Sequence, residues 1–266
     1  MSQVSRDPAA DISGHSIAQL YRATRKRDEP LFNTYVCRPL AAAVVFWLRG
    51  TRIAPNQVTF FSFFLAGVAA ACSVLMPWPV GLWVGVIVYE LSYVFDKVDG
   101  MLARSRGVQS ATGHLLDFLM DEIKAFTILA ALATGAYLHT GHVEMLLWGL
   151  VGVVCLASGI GITTFQRRPE VLAAAAVERE ARAALAEPRP PELARAAPRQ
   201  GPVARAVSLA EHVGRFFIHY PSYIWIAALA SDVRIYLYPY VVVNALYCAR
   251  SMLGLLLRYG GLVPRT

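Results

Sequence analysis

The sequence predicts an all-α, polytopic membrane protein with six transmembrane helices preceded by an amphipathic interfacial helix. The first observation is composition: of the 266 residues 56% are hydrophobic and only 16% are charged, and the mean hydropathy is +0.45. The second observation is that the apolar residues form long runs rather than stripes at helical spacing. Such runs are typical of membrane-spanning helices, whereas a soluble helix shows an apolar stripe.

Residues 1–32 are expected to form a largely disordered, basic segment on the cytoplasmic side of the membrane. Four cations suit an anionic membrane surface; they are Arg22, Arg25, Lys26 and Arg27. The apolar stretch 33–50 contains Arg38 and Arg49, which are separated by only about ten uncharged residues, whereas a span needs about 20. We therefore expect 33–50 to form an interfacial helix rather than a span.

The transmembrane helices are predicted from uncharged runs and their proline breaks. No charged residue occurs from Ile53 to Tyr89, and the Met76–Pro79 sequence MPWP divides this run into two helices. The interfacial helix and the first four spans make up a unit at 33–166, and residues 214–266 supply the last two spans and a short tail. The six spans are placed at about 56–76, 80–100, 111–138, 143–166, 214–231 and 235–258, with Pro221 and Pro239 kinking or starting the last two.

Between these units lies a cytoplasmic insert at 167–213 that is rich in alanine, arginine and proline. Its first half is expected to be an exposed helix. Four prolines predict a flexible connection in its second half; they are Pro188, Pro190, Pro191 and Pro198.

The distribution of charge predicts the orientation in the membrane. The formal net charge is +7, but the basic residues surround apolar segments rather than interleave with aromatics, which argues against nucleic acid as a partner. Six spans with both termini inside place the basic loops in the cytoplasm and leave essentially only Arg234 outside, as the positive-inside rule requires. We expect a multi-pass protein of the cytoplasmic membrane.

A pattern of charged and small residues joins the second and third predicted spans. It reads D-x-x-D-G-x-x-A-R-(x)8-G-x-x-x-D-x-x-x-D, and its fixed positions are Asp96, Asp99, Gly100, Ala103, Arg104, Gly113, Asp117 and Asp121. An aspartate at mid-bilayer costs roughly 2.5–3.5 kcal/mol on insertion scales, so four of them demand polar compensation.

Helical spacing brings these carboxylates together. The fixed positions of each span share one helix face. They are Asp96, Asp99, Gly100 and Ala103 at the end of the second span, and Gly113, Asp117 and Asp121 at the start of the third. Carboxylate oxygens suit Mg²⁺, Mn²⁺ or Ca²⁺ rather than zinc. Metals held in this way can grip a diphosphate, and the fixed cation of Arg104 suits phosphate. The pattern therefore predicts a metal site for a diphosphate substrate.

The pattern resembles the signature of the CDP-alcohol phosphotransferase (CDP-alcohol phosphatidyltransferase) family at all eight fixed positions. The sequence APNQVT at Ala54–Thr59 is a second similar feature, and the resemblance covers about residues 33–165. It implies a six-span, commonly homodimeric enzyme with Mg²⁺ or Mn²⁺, two ions in all, in a site open to the cytoplasm. It also implies phospholipid biosynthesis, with attack by an acceptor hydroxyl on a CDP-alcohol and release of CMP.

The resemblance implies a role for each fixed position. Asp96, Asp99, Asp117 and Asp121 would be metal ligands, and Asp121 would also be the general base that deprotonates the acceptor. The small and basic positions would line the cytidine diphosphate site; they are Gly100, Ala103, Arg104 and Gly113.

Other residues near the motif leave alternatives open. Asn56 and Thr59 share a face and either bind the nucleotide or, for Asn56, cap the helix. Arg106, Lys97 and Lys124 either contact an acceptor phosphate or screen the acidic cluster. Glu90 is a carboxylate within a span, which normally indicates a function; the alternative, which we prefer, is a protonated side chain hydrogen-bonded to a tyrosine or serine. His114 and His219 are expected to be local hydrogen-bonding residues rather than metal ligands.

CDP-diacylglycerol is the expected donor, because the site lies where acyl chains can remain in lipid. Inositol phosphate, glycerol phosphate, serine or another alcohol remain open as acceptors. The alternative function is a divalent-cation or anion transporter that uses the aspartates. A transporter predicts repeated or broken helices with the acidic residues at the midplane, and the sequence shows no internal repeat.

Overall fold

The computed structural model describes residues 16–24, 30–185, 213–214 and 216–259. These ranges are predominantly helical and contain no β-strand, so the all-α prediction is confirmed. The helices are α1 Ile17–Thr24, α2 Arg38–Leu48, α3 Pro55–Leu75, α4 Val80–Ser105, α5 Ala111–Thr140, α6 Glu144–Gln166, α7 Pro169–Leu185, α8 Ile224–Ala230 and α9 Arg234–Tyr259. A π-helical turn at Asn33–Cys37 leads into α2, and a 3₁₀ turn at Tyr220–Ser222 precedes α8.

Three of the described helices are long and apolar enough to cross a membrane. They are Pro55–Leu75, Glu144–Gln166 and, within α9, Arg234–Leu257. Large apolar side chains remain exposed on them, as lipid-facing surfaces require. The helices α4 and α5 are as long, at 26 and 30 residues, but carry the charged pattern. A membrane protein is thus supported, and the count of six spans stays a prediction.

Local chemistry explains the boundaries of the helices that carry the pattern. Helix α3 begins with Pro55 in its first turn, where a missing N–H costs nothing, and the Gln57 side chain accepts a hydrogen bond from the Ala54 N–H. Helix α5 is capped at its start by Ser110, whose hydroxyl accepts a bond from the Gly113 N–H at 2.9 Å. It is capped at its end by Gly141, whose φ of 73° favours glycine.

The predicted fifth span, 214–231, is not one continuous helix, and its interruption falls at Pro221, where a kink or a helix start was expected. Residues 216–218 are helical, the 3₁₀ turn containing Pro221 follows, and α8 begins only at Ile224. Proline has no N–H to continue the backbone ladder, which explains the break. Helix α8 has 7 residues and rises only about 10 Å, against an apolar membrane core of about 30 Å.

The terminal and inserted segments are described in part. Residues 17–24, within the segment expected to be largely disordered, form α1, and Leu20 of that helix is fully buried. The expected helix in the first half of the insert is present as α7, whose described side chains are mostly exposed. The predictions for residues 1–15, for Arg25 to Arg27 and for the proline-rich half of the insert lie outside the described residues.

The helices pack as two apolar clusters that hold the pattern between them. Helix α3 packs against both α4 and α5, while α6 packs against α5 and α9. One cluster joins α3, α4, α5, α8 and α9 around Leu132 and Tyr236. The other joins α1 and α2 to the start of α3 and the end of α4, around Val45 and Leu102. The end of α4 that carries the aspartates is therefore packed on the α1–α2 side as well.

Candidate active site

Three of the four aspartates converge between α4 and α5. Asp96 from α4 and Asp117 and Asp121 from α5 each offer a carboxylate oxygen, and these oxygens all lie within 4.8 Å of one another. Asp96 is buried, whereas the side chain of Asp121 is 45% exposed. The group is therefore anchored inside the bundle and open on the side of Asp121.

The chemistry of this group fits a divalent metal. The Asp117 Oδ1 atom is buried and accepts no hydrogen bond from any residue that the structure describes. A buried oxygen without a partner is unfavourable, and a cation placed among the three carboxylates would satisfy it. The donors are all carboxylate oxygens, which favours Mg²⁺ or Mn²⁺ over zinc.

Asp99 lies apart from that group. It is 4% exposed, and its Oδ2 atom accepts a hydrogen bond of 2.5 Å from the Thr59 hydroxyl of α3. The Gly100 N–H also donates to its other oxygen. The structure thus brings together three of the four predicted ligands and places Asp99 one helical turn from Asp96, bonded to α3.

Two lysines neutralise Asp96. The Lys97 ammonium donates to Asp96 Oδ2 at 2.7 Å and lies 4.3 Å from the centre of the Tyr93 ring. The Lys124 ammonium donates to Asp96 Oδ1 and forms an ion pair with Asp121 Oδ1 at 2.7 Å. Each lysine therefore screens the acidic cluster, which was one of the two roles expected for them.

Sequence reasoning missed the contribution of two serines. The Ser62 hydroxyl of α3 donates to the Ser92 carbonyl at 2.9 Å, and the Ser92 hydroxyl donates to the Ser62 carbonyl at 2.7 Å. Lys124 Nζ lies 3.3 Å from Ser62 Oγ. These bonds fix α3 to α4 beneath the carboxylates. The sequence carried one signal for this contact, a serine among small and apolar residues, because such residues occur where helices in membranes pack closely.

The small residues of the pattern make room for neighbouring polar groups. A Cβ atom on Gly100 would lie 3.3 Å from an Arg104 guanidinium nitrogen, so the absent side chain lets Arg104 fold back along α4. A Cβ atom on Gly113 would lie 3.0 Å from Ser110 Oγ and 3.6 Å from Asn56 Oδ1. The start of α3 and the start of α5 thus meet at Gly113. Gln57, not Asn56, provides the side-chain cap of α3.

Arg106 is held by the backbone of the α2–α3 connection. Its guanidinium donates to the carbonyl oxygens of Leu48, at 2.6 Å, of Thr51, at 2.9 Å, and of Ile53. Three of the five guanidinium N–H donors are thus taken by carbonyl oxygens. The geometry favours a structural role over the acceptor contact that was also open for this residue.

A chain of polar contacts links the site to the break before α8. The Tyr93 hydroxyl lies 2.6 Å from His219 Nε2, and His219 Nδ1 lies 2.6 Å from Ser222 Oγ. His219 is thus a hydrogen-bonding residue, as expected. Glu90 departs from expectation, because both of its carboxylate oxygens are buried without a hydrogen-bond partner among the described residues.

The arrangement as a whole can bind a metal-chelated diphosphate. Three convergent carboxylates can supply metal ligands, Arg104 supplies a cation beside Gly100, and the exposed side of Asp121 can admit a reactant. A carboxylate at the open edge of such a site is placed to remove a proton from an entering hydroxyl.

Comparison with known proteins agrees with this chemistry. A family model described as CDP-alcohol phosphatidyltransferase matches residues 52–186, about half of the chain and including all eight positions of the pattern. A curated relative, the "Bifunctional IPC transferase and DIPP synthase" of Thermococcus kodakarensis, is 34% identical over 82 residues. That match spans 31% of this chain but only 18% of the relative, so the chain aligns with under a fifth of that protein. The family match and the intact pattern lead to one conclusion: the chain belongs to the CDP-alcohol phosphatidyltransferase family.

Proposed function

We propose that this protein transfers a phosphatidyl or other substituted phosphate group from a CDP-alcohol to an acceptor hydroxyl, with release of CMP, in phospholipid synthesis. The observation that carries the proposal is the convergence of oxygens from Asp96, Asp117 and Asp121 within 4.8 Å. Family membership supports the reaction class. The name of the Thermococcus kodakarensis relative, which includes a transferase activity, agrees with it.

The proposed reaction is one displacement at phosphorus. The acceptor hydroxyl loses its proton to Asp121, and its oxygen forms a bond to the β-phosphorus of the CDP-alcohol. The bond between that phosphorus and the bridging oxygen breaks, and CMP leaves with the electron pair. Asp121 suits the role of base because, of the two carboxylates that pair with Lys124, its side chain is the exposed one.

Mg²⁺ or Mn²⁺, as two ions, would be held by Asp96, Asp99, Asp117 and Asp121. When bound, such ions neutralise charge on the diphosphate and on the leaving oxygen. Asp99 would be a ligand of the second ion, because it lies one turn from Asp96 on the same face of α4. Its bond from Thr59 orients the carboxylate.

The nucleotide would lie along the small residues of α4 and α5. Gly100, Ala103 and Gly113 leave space for close approach to the backbone, and the Arg104 guanidinium beside Gly100 provides the cation for phosphate. Asn56 approaches Gly113 from α3 and would complete this side of the site. Its exposed side chain leaves its amide open to a ligand.

CDP-diacylglycerol is the proposed donor, because acyl chains attached to a diphosphate in this site would lie beside the exposed apolar faces of α3 and α5. Phe64 of α3 and Leu115 of α5 are examples of those faces. Among the basic residues considered for an acceptor phosphate, Lys97 is favoured, since its side chain is 20% exposed while that of Lys124 is 3% exposed. Inositol phosphate and glycerol phosphate are the phosphorylated acceptors to test first, and serine is the unphosphorylated one.

The proposed orientation places the site and both termini on the cytoplasmic face of the cell membrane, as the distribution of basic residues favours. A homodimer is proposed because the pattern resembles the signature of a family whose members are commonly homodimeric. Cross-linking in native membranes tests the dimer, and protease access to the α6–α7 connection tests the orientation.

The reaction is tested with purified protein in lipid. The protein is given CDP-diacylglycerol with Mn²⁺ or Mg²⁺, and CMP release is measured against a panel of acceptors. CMP release that depends on a single acceptor identifies the reaction. Absence of CMP with every CDP-alcohol and acceptor contradicts the proposal, and ion flux into protein-containing vesicles would then favour the transporter alternative.

A further inference from the structure

The Lys124 ammonium lies between two of the three converging carboxylates. It donates to Asp96 Oδ1 and pairs with Asp121 Oδ1 at 2.7 Å, and these two residues are members of the three-carboxylate group. Its third contact is Ser62 Oγ at 3.3 Å. An ammonium has three donors, so the three contacts account for all of them.

Burial makes this arrangement different from a surface ion pair. The Lys124 side chain is 3% exposed and that of Asp96 is 2% exposed. A charge taken out of water requires a close partner of opposite sign, and Lys124 and Asp96 are such partners for each other. Lys97 takes the remaining Asp96 oxygen, so both oxygens of this carboxylate are engaged by lysines.

A divalent ion that enters the group must therefore compete with Lys124 for Asp96 and Asp121. Like charges at such short range repel strongly where water is excluded. The ammonium must turn toward Ser62, or share the carboxylates with the metal at a cost in metal affinity. In either case, the lysine opposes metal binding.

We propose that Lys124 is a built-in counter-cation that competes with the divalent metal for Asp96 and Asp121 and thereby sets the affinity of the site for the metal. The inference rests on the proposed function in that it takes the three carboxylates to be metal ligands. It assigns Lys124 a positioning role toward the metal rather than a contact with the acceptor.

The test measures Mn²⁺ binding directly, without turnover. Purified protein in lipid nanodiscs is titrated with Mn²⁺, and free Mn²⁺ is followed by electron paramagnetic resonance. Lys124→Met removes the charge with little change in length and should tighten Mn²⁺ binding by at least about tenfold, since it removes a like-charge contact in a buried site. Lys124→Arg keeps the charge and should stay near the wild-type affinity.

Thermal unfolding provides the second measurement. Without metal, Lys124→Met should unfold at a lower temperature than the wild type, because the carboxylates lose their partner. With Mn²⁺ its unfolding temperature should rise by more than that of the wild type. Lys124→Gln, which keeps a hydrogen-bond donor for Ser62, carries the same expectations and serves if the methionine variant does not fold.

Arg234→Gln is the matched control, because it removes a cation that pairs with an aspartate, Asp232, away from the carboxylate group. It should leave Mn²⁺ affinity unchanged. Unchanged or weaker Mn²⁺ binding in the neutral Lys124 variants overturns the inference and leaves the proposed reaction intact. A wild-type protein that binds no Mn²⁺ overturns this inference and the proposed metal dependence together.

Discussion

The Thr59 hydroxyl of α3 donates a hydrogen bond of 2.5 Å to the Asp99 carboxylate of α4, across a sequence separation of 40 residues. Both residues are buried. The pair connects the second turn of α3, one turn after Pro55, with the aspartate of the pattern that lies outside the three-carboxylate group. It fixes the orientation of Asp99 before any ligand enters.

Thr59→Val should therefore lower stability and activity together. Valine keeps the shape but not the hydroxyl, and a buried polar group that loses its partner costs about 1–3 kcal/mol. Unfolding temperature and CMP release are the measurements. Thr59→Ser retains the hydroxyl and should remain close to the wild type, so a valine variant that matches the serine variant in both assays contradicts the role of this bond.

Asp121→Asn should abolish turnover while nucleotide binding persists. The amide cannot accept the acceptor proton, and loss of a general base lowers the rate by about 10²–10⁴-fold. CMP release at saturating Mn²⁺ and equilibrium binding of the CDP-alcohol measure the two effects. Asp232→Asn makes the same chemical change in the loop between α8 and α9 and should leave both unchanged. Full activity in Asp121→Asn would remove this residue as the base.

Arg106→Gln should destabilise the protein without changing acceptor binding. The substitution removes a guanidinium that donates to three carbonyl oxygens between Leu48 and Ile53, with an expected loss of about 2 kcal/mol. The exposed Arg52 lies in the same connection, and Arg52→Gln should have little effect. The measurements are unfolding temperature and the KM for the acceptor. A raised KM with unchanged stability would return Arg106 to the acceptor site.

The sequence was sufficient to predict the helices and the pattern because both are local properties. Spacing along α4 and α5 decides which side of each helix Asp96 and Asp117 occupy, and the prolines at 77 and 79 predict where α3 and α4 separate. That Asp96 would have polar partners nearby could also be predicted, because a charged residue in an apolar run needs a partner.

Tertiary contacts could not be predicted in the same way. The choice of Lys124 as a partner for both Asp96 and Asp121, and of Ser62 as its third contact, depends on how α3 lies against α4 and α5. The carbonyl contacts of Arg106 depend on the path of the connection after α2. The break at Pro221 carried a local signal and was expected as a kink or a helix start, but the 3₁₀ turn there and the shortness of α8 were not expected.

Gly135→Ala should destabilise the bundle, because α5 approaches the end of α3 too closely for a side chain. A Cβ atom at this position would lie 2.4 Å from the Ser73 carbonyl oxygen and 3.1 Å from Trp78 Cζ2. Trp78 is itself held by a bond from its indole N–H to the same carbonyl, at 2.8 Å. The backbone atom cannot move aside as a side chain would, and overpacking of this kind costs about 1–3 kcal/mol.

Gly67→Ala on α3 provides the matched control, since a Cβ atom there would meet nothing within 4 Å. Alanine is the better helix former by about 1 kcal/mol, so this variant should be as stable as the wild type or more so. The unfolding temperature in detergent, with and without Mn²⁺, compares the two substitutions. Equal unfolding temperatures for the two variants would show that α5 does not approach α3 as closely at Gly135 as the structure places it.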